Sequence, residues 1–300
     1  VLKRTWIALV LGLKLVTAST WGEVVTQAVE PAATGALVQQ VSGPHQAWWD
    51  DEIPGNGLLL ISLGGTASRP QDLEALDREA VRLGYRALAI DYPNQVISTA
   101  CRESKQPNAF DRFRSEIVEG RAESDLVEVN PPNSIEGRIQ ALLVTLAAGP
   151  QSPIWKPFLE RDRPAWNQIV VVGHSQGSGH AAYLGKLHSL RGVILLGGPQ
   201  DQGAAWLTRA GQTEPERYLS FLHRDDFFKS SLQIETGRAL MANPRAPLSE
   251  VEGALPGARS QIVVTSMKVR DPHMSLLDPL FRAIWRDLLG RSLSIGSPNF

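Results

Sequence analysis

Apolar positions along this chain follow two rhythms. Residues 57–63, Gly-Leu-Leu-Leu-Ile-Ser-Leu, are apolar almost without interruption and end in Gly64-Gly65. Such a run fits a strand buried on both faces. Leu73, Leu76, Ala80, Val81 and Leu83 then recur at helical spacing, and Gly84 stops the helix they predict. A second strand is predicted over 86–90, closed by Asp91-Tyr92-Pro93, and further strands at 169–172, 192–196, 218–222 and 261–265. A helix is predicted after Pro131-Pro132, with Asn133 as its cap and Glu136 completing a capping box. Another follows residues 173–177, with Ala181, Ala182, Leu184 and Leu187 on its inner side, and a closing amphipathic helix covers 276–289. Strands that alternate with helices and are apolar throughout predict an α/β fold: a mainly parallel central sheet with helices on both faces. Ligands bind at the carboxyl ends of the strands in such sheets.

Two stretches break the rhythm. Residues 94–132 are mostly polar and weakly periodic. That is long for a plain loop, so it reads as a loop-rich insertion with short helices of its own. At the N-terminus, Lys3 and Arg4 precede an apolar run from Trp6 to Leu13, and Val16 and Ala18 are small enough for a signal-peptidase site. The expectation is a signal peptide over 1–18, a single domain over 19–300, and export to the periplasm or the medium. The run is too short to span a bilayer, so no stable membrane span is expected in the mature chain.

Composition narrows the picture. The 300 residues are 43% apolar, enough for one sizeable core, and the formal net charge is −1. Both signs of charge are mixed along the chain, which gives no basic footprint for nucleic acid. Cys101 is the single cysteine, so no intramolecular disulfide is possible. It lies in a polar loop without a strand-turn-helix context, which favours a non-catalytic thiol.

The candidate chemistry centres on Ser175. Gly173-His174-Ser175-Gln176-Gly177 follows a β-branched strand and precedes a helix. Gly-x-Ser-x-Gly places serine on a tight strand-to-helix turn where side chains larger than glycine would clash. A serine nucleophile needs a base, a group to orient the base, and donors for the oxyanion. His273 follows the last strand and is the expected base. His174 sits on the turn itself, His180 and His188 lie on the next helix, and His223 precedes the acids. The expected acid is Asp226 in His223-Arg224-Asp225-Asp226, with Asp225 the alternative and Asp271 a third choice. Expected oxyanion donors are the N–H of Gln176 and that of Thr66, or else Gly65, in the glycine loop after the first predicted strand. Trp48 and Trp49 could line an acyl pocket but fit core packing better.

These residues, in this order, resemble the α/β-hydrolase superfamily over about residues 55–290. Gly179-His180 behind the elbow resembles a poorly characterised bacterial branch of exported serine hydrolases. Many of those carry paired cysteines, whereas Cys101 has no partner. The resemblance implies cleavage of carboxylic esters or related acyl compounds through an acyl-enzyme, without metal or organic cofactor, on a small-molecule substrate. It leaves open an acyltransferase with the same triad. A non-catalytic binding protein on the same scaffold is the reading from a different class. The short span between Leu196 and Tyr218 predicts a small or absent lid, with 94–132 as the main cover.

Overall fold

A computed structural model of the chain describes residues 23–251 and 260–294. The predicted signal peptide, 1–18, lies outside the described residues. Among these, nine strands form one sheet: β1 (Val25–Val29), β2 (His45–Trp49), β3 (Leu59–Leu63), β4 (Arg86–Ala89), β5 (Ile169–His174), β6 (Gly192–Leu196), β7 (Tyr218–His223), β8 (Leu248–Val251) and β9 (Ile262–Thr265). Their spatial order is β1-β2-β4-β3-β5-β6-β7-β9-β8. Only the pairings of β2 with β1 and with β4 are antiparallel.

Successive side chains of a strand face opposite sides of the sheet. Leu59, Ile61, Leu63, Ile169 and Val171 enter one core, and Leu60, Val170 and Val172 the other. Helices α2 (Ala109–Glu119), α3 (Ile135–Ala148), α4 (Gln176–Leu187) and α5 (Ser230–Leu240) cover the first face through Phe113, Leu142, Leu184 and Leu240. Helices α1 (Glu74–Arg82) and α6 (Arg282–Ser294) cover the second through Leu76, Ala80, Ile284 and Leu288. A parallel sheet in this strand order, covered on both faces, is the α/β-hydrolase fold. No helix among the described residues is long and apolar enough to cross a membrane.

The structure differs from the sequence reading in four places. Strands β1, β2 and β8 were not expected from the pattern; Trp48 and Trp49 belong to β2 and are buried in the core. The segment 94–132 contributes α2, an 11-residue helix packed against α3 and α4 rather than a loose cover. Its periodicity is masked because Asp111, Arg114, Ser115 and Glu116 are buried along with Phe110, Phe113 and Ile117. The cap of α3 is Ser134, whose Oγ accepts the Gly137 N–H at 3.1 Å. Asn133 ends a preceding 3-10 turn, and its Oδ1 accepts from Gln39 N–H and Arg138 instead. The closing helix starts only at Arg282, after two 3-10 turns over 274–281. Between β6 and β7 lie only two short 3-10 turns, Ala205–Thr208 and Pro215–Arg217.

Candidate active site

Register puts the candidate residues at one edge. Leu63 pairs with Gly173, His174 with Leu196, Leu196 with Phe221, and His223 with Thr265. The carboxyl ends of β3, β5, β6, β7 and β9 therefore form a row. The glycine loop, Ser175, Gly197-Gly198, Asp226 and His273 all follow from that row.

Ser175 sits between β5 and α4 with φ 55° and ψ −121°. Positive φ is strained for a residue with a side chain, and such strain is stored mainly at functional turns. The flanking glycines make the turn possible by close approach. A Cβ on Gly173 would stand 2.1 Å from Gly177 O, and one on Gly177 would stand 2.2 Å from Leu63 O. The turn is fixed further by Ser175 N–H, which donates to Leu196 O at 2.8 Å.

His273 and Asp226 meet directly. His273 Nδ1–H donates to Asp226 Oδ2 at 2.7 Å, and both side chains are buried. Asp226 also accepts the Phe228 N–H at 2.8 Å and the Gln233 amide at 3.1 Å. Burial alone would raise the Asp226 pKa. The hydrogen bond and charge of His273, with the Phe228 and Gln233 donors, outweigh burial and hold it below the usual carboxylate range. The carboxylate fixes the proton of a neutral His273 on Nδ1, which leaves the lone pair on Nε2. That atom is buried and has no hydrogen-bond partner among the described residues. Asp225 is exposed and does not reach His273; its N–H donates to His223 Nδ1 at 3.1 Å. Asp271 accepts the N–H groups of His273 and Met274 and so shapes the histidine loop.

Two consecutive glycines tie His273 to Ser175. A Cβ on Gly197 would stand 3.2 Å from His273 Cε1, and one on Gly198 would stand 2.6 Å from Ser175 O. His174 makes a second link. Its Nε2 lies 3.1 Å from His273 O, and a carbonyl can only accept, so Nε2 carries the proton. Burial, then the neighbouring His273, push the His174 pKa down to about 4. His174 is therefore a neutral strut between elbow and histidine loop. The rings of His174, Phe227 and Phe228 stand 4.9, 5.0 and 4.9 Å from the His273 ring.

The glycine loop is held from behind. Tyr92 Oη donates to Gly64 O at 2.5 Å, and Asn94 Nδ2 donates to Gly65 O at 3.0 Å. Ser68 Oγ also donates to Gly65 O, at 2.9 Å. In a trans peptide the N–H points away from the C=O, so Thr66 N–H faces away from these donors. A Cβ on Gly65 would stand 3.0 Å from Ser175 Cβ, which places the loop against the serine. Gln176 locks it sideways: its Oε1 accepts Thr66 Oγ1–H at 3.1 Å and Ser98 N–H at 2.7 Å.

Behind the elbow, Arg114 of α2 forms a fully buried pair with Asp201 at 2.6 and 2.9 Å. It also donates to Gln176 O at 3.0 Å and contacts His180 Nδ1 at 3.2 Å. A Cβ on Gly179 would stand 2.1 Å from Arg114, which explains the Gly179-His180 pair. Cys101 is buried, and burial pushes its thiol up to about 12, far from a thiolate nucleophile at neutral pH. Sequence reasoning did not single out Tyr92, Asn94, Arg114, Asp201 or Gln233. The one visible hint was the polar run Asp91-Tyr92-Pro93-Asn94 directly after an apolar strand.

No protein-family model matches the chain, and no curated protein is similar to it in sequence. Solved structures are similar over most of its length. A thermostable esterase from Pseudomonas putida shares 12% identity, covering 92% of this chain and 84% of its own, with a TM-score of 0.46. A dienelactone hydrolase from Anabaena variabilis shares 12% identity over 89% and 96%, also at 0.46. TT1662 from Thermus thermophilus shares 18% over 90% and 98%, at 0.43. Likeness at this level carries no function across; the fold rests on the strand order.

Proposed function

We propose that this protein is a serine hydrolase of the α/β-hydrolase superfamily that cleaves carboxylic esters or related acyl compounds through an acyl-enzyme. The observation that carries the reading is the buried Asp226–His273 hydrogen bond beside a strained serine turn. Ser175 Oγ attacks the acyl carbon while its proton passes to His273 Nε2. The tetrahedral intermediate collapses, the bond to the leaving oxygen breaks, and Nε2 returns the proton to that oxygen. Water then attacks the acyl-enzyme, gives its proton to Nε2, and Ser175 leaves with it. Asp226 keeps His273 in one tautomer and stabilises the imidazolium. Gln176 N–H and Thr66 N–H receive the oxyanion, with Gly65 N–H the alternative to Thr66. Each such donor is worth about 10²–10³ in rate.

The free Nε2 of His273 suits this scheme, because the serine–base contact often tightens only when substrate binds. The test is covalent. A fluorophosphonate probe should label the wild-type protein, and Ser175→Ala should abolish the label while circular dichroism stays unchanged. Labelling that survives in a folded Ser175→Ala variant overturns the assignment. Export belongs to the same proposal and rests on the N-terminal pattern alone. The intact mass of protein recovered outside the cytoplasm should match cleavage after Ala18.

A further inference from the structure

Two phenylalanine rings stand against His273, and two further large apolar side chains neighbour site residues in the chain. Phe227 is 67% exposed, Met274 48% and Ile97 40%, and Phe228 is half-buried beside Phe227. Each is fixed to the machinery by its chain neighbour. Phe227 and Phe228 directly follow Asp226, Met274 follows His273, and Ile97 precedes Ser98, whose N–H bonds Gln176. The two Phe rings stand 4.3 Å apart, and both stand about 5 Å from the His273 ring, at 5.0 and 4.9 Å.

We propose that Phe227, backed by Phe228, is a binding surface for the alcohol part of the substrate, and that it selects esters of aromatic or bulky apolar alcohols. This rests on the serine-hydrolase reading above. The leaving oxygen must come within hydrogen-bond reach of His273 Nε2 to take its proton, about 2.6–3.2 Å. The first carbons beyond that oxygen then lie within contact distance of whatever touches the imidazole. That surface is aromatic. Nε2 is buried and has no partner among the described residues, so the position facing it is the one the leaving oxygen would fill. A bilayer is a poorer occupant for this rim. Arg224, Asp225 and Lys229 are exposed around Phe227 and would have to enter the interface with it.

The experiment compares two butyrate esters whose alcohols have similar acidity, benzyl and methyl, presented as monomers below any micelle concentration. The wild-type protein should favour the benzyl ester in kcat/KM. Phe227→Ala should lower the benzyl-to-methyl ratio about tenfold, chiefly through KM, the size expected for one lost aromatic contact. Phe227→Tyr keeps the ring and should hold the ratio. Phe228→Ala, which removes the backing ring, should lower it in the same direction and guards against a misfolded Phe227→Ala. Fluorophosphonate labelling is measured on every variant. A ratio unchanged in Phe227→Ala with labelling intact overturns the inference and leaves the hydrolase reading standing. If wild type neither labels nor cleaves either ester, the hydrolase reading itself has failed. Activity that falls only on vesicle-bound ester, with the monomer ratio unchanged, makes the rim a lipid contact and overturns the inference.

Discussion

Asp225 and Asp226 differ by one position and by everything around them. The first is exposed, and its N–H serves the strand-end turn at His223. The second is buried, accepts three hydrogen bonds, and carries its charge against His273. Removing that charge while keeping the shape should misorient the imidazole. Asp226→Asn is expected to lower kcat by about 10³–10⁴, and Asp225→Asn to leave it near the wild-type value. Ester hydrolysis by the two purified variants checks this, and equal losses would remove Asp226 from its proposed role. At this scale the sequence was readable wherever chain order alone carried the signal: a serine on a glycine turn, an acid after one strand, a histidine after a later one. It was silent on Gln233 and Asp201. A polar side chain that reaches across the fold leaves no periodic trace in its own neighbourhood.

Elements were legible in proportion to how purely apolar they are. β3 and β5 have no polar residue to confuse their burial except Ser62 and the terminal His174, and both ends came out within a few residues. α2 was hidden because its buried face includes Arg114, paired with Asp201, and Glu116, whose carboxylate accepts backbone N–H groups. β1 was hidden as an edge strand in which only Val29 is fully buried. The join between α1 and β3 holds a further buried polar contact with a measurable consequence. Asp77 Oδ1 accepts Ser62 Oγ–H at 2.5 Å, while Oδ2 is buried and has no partner among the described residues. Burial, partly opposed by Ser62 and reinforced by Glu74, pushes its pKa from 3.8 up to about 8. The folded chain therefore holds a proton that the unfolded chain releases. This contribution to stability is full below about pH 4, falls as pH rises, and is lost above about pH 8. Urea unfolding at pH 5 and pH 8.5 should show wild type losing a few kcal/mol more across that interval than Asp77→Asn. Parallel pH curves for the two proteins would refute the raised pKa.

Over the whole molecule, the site is a property of the sheet. Ser175, Asp226 and His273 follow β5, β7 and β9, three strands joined by a register that runs through β6. No smaller unit contains all three, so the site should be lost only with the sheet. In a urea titration, loss of fluorophosphonate labelling and loss of near-UV circular dichroism should share one midpoint. Labelling that disappears well before the dichroism would mean that the site melts locally. The sheet's architecture was legible from the spacing of apolar runs, but its antiparallel flank was not. Trp48 and Trp49 read as core residues and are buried, but nothing in their sequence neighbourhood marks a strand there or sets its pairing direction.

The bond from His174 to the His273 carbonyl bears on precision. A histidine carried at the end of a long loop would ordinarily wander with that loop, and side chains on loops are held less accurately than those on strands. Here the loop's far end is pinned to the residue immediately before the serine, at the tip of a central strand. Base and nucleophile thereby share one frame of reference. When the loop flexes, the pair moves as a unit, and the separation between the two reacting atoms inherits the stiffness of β5.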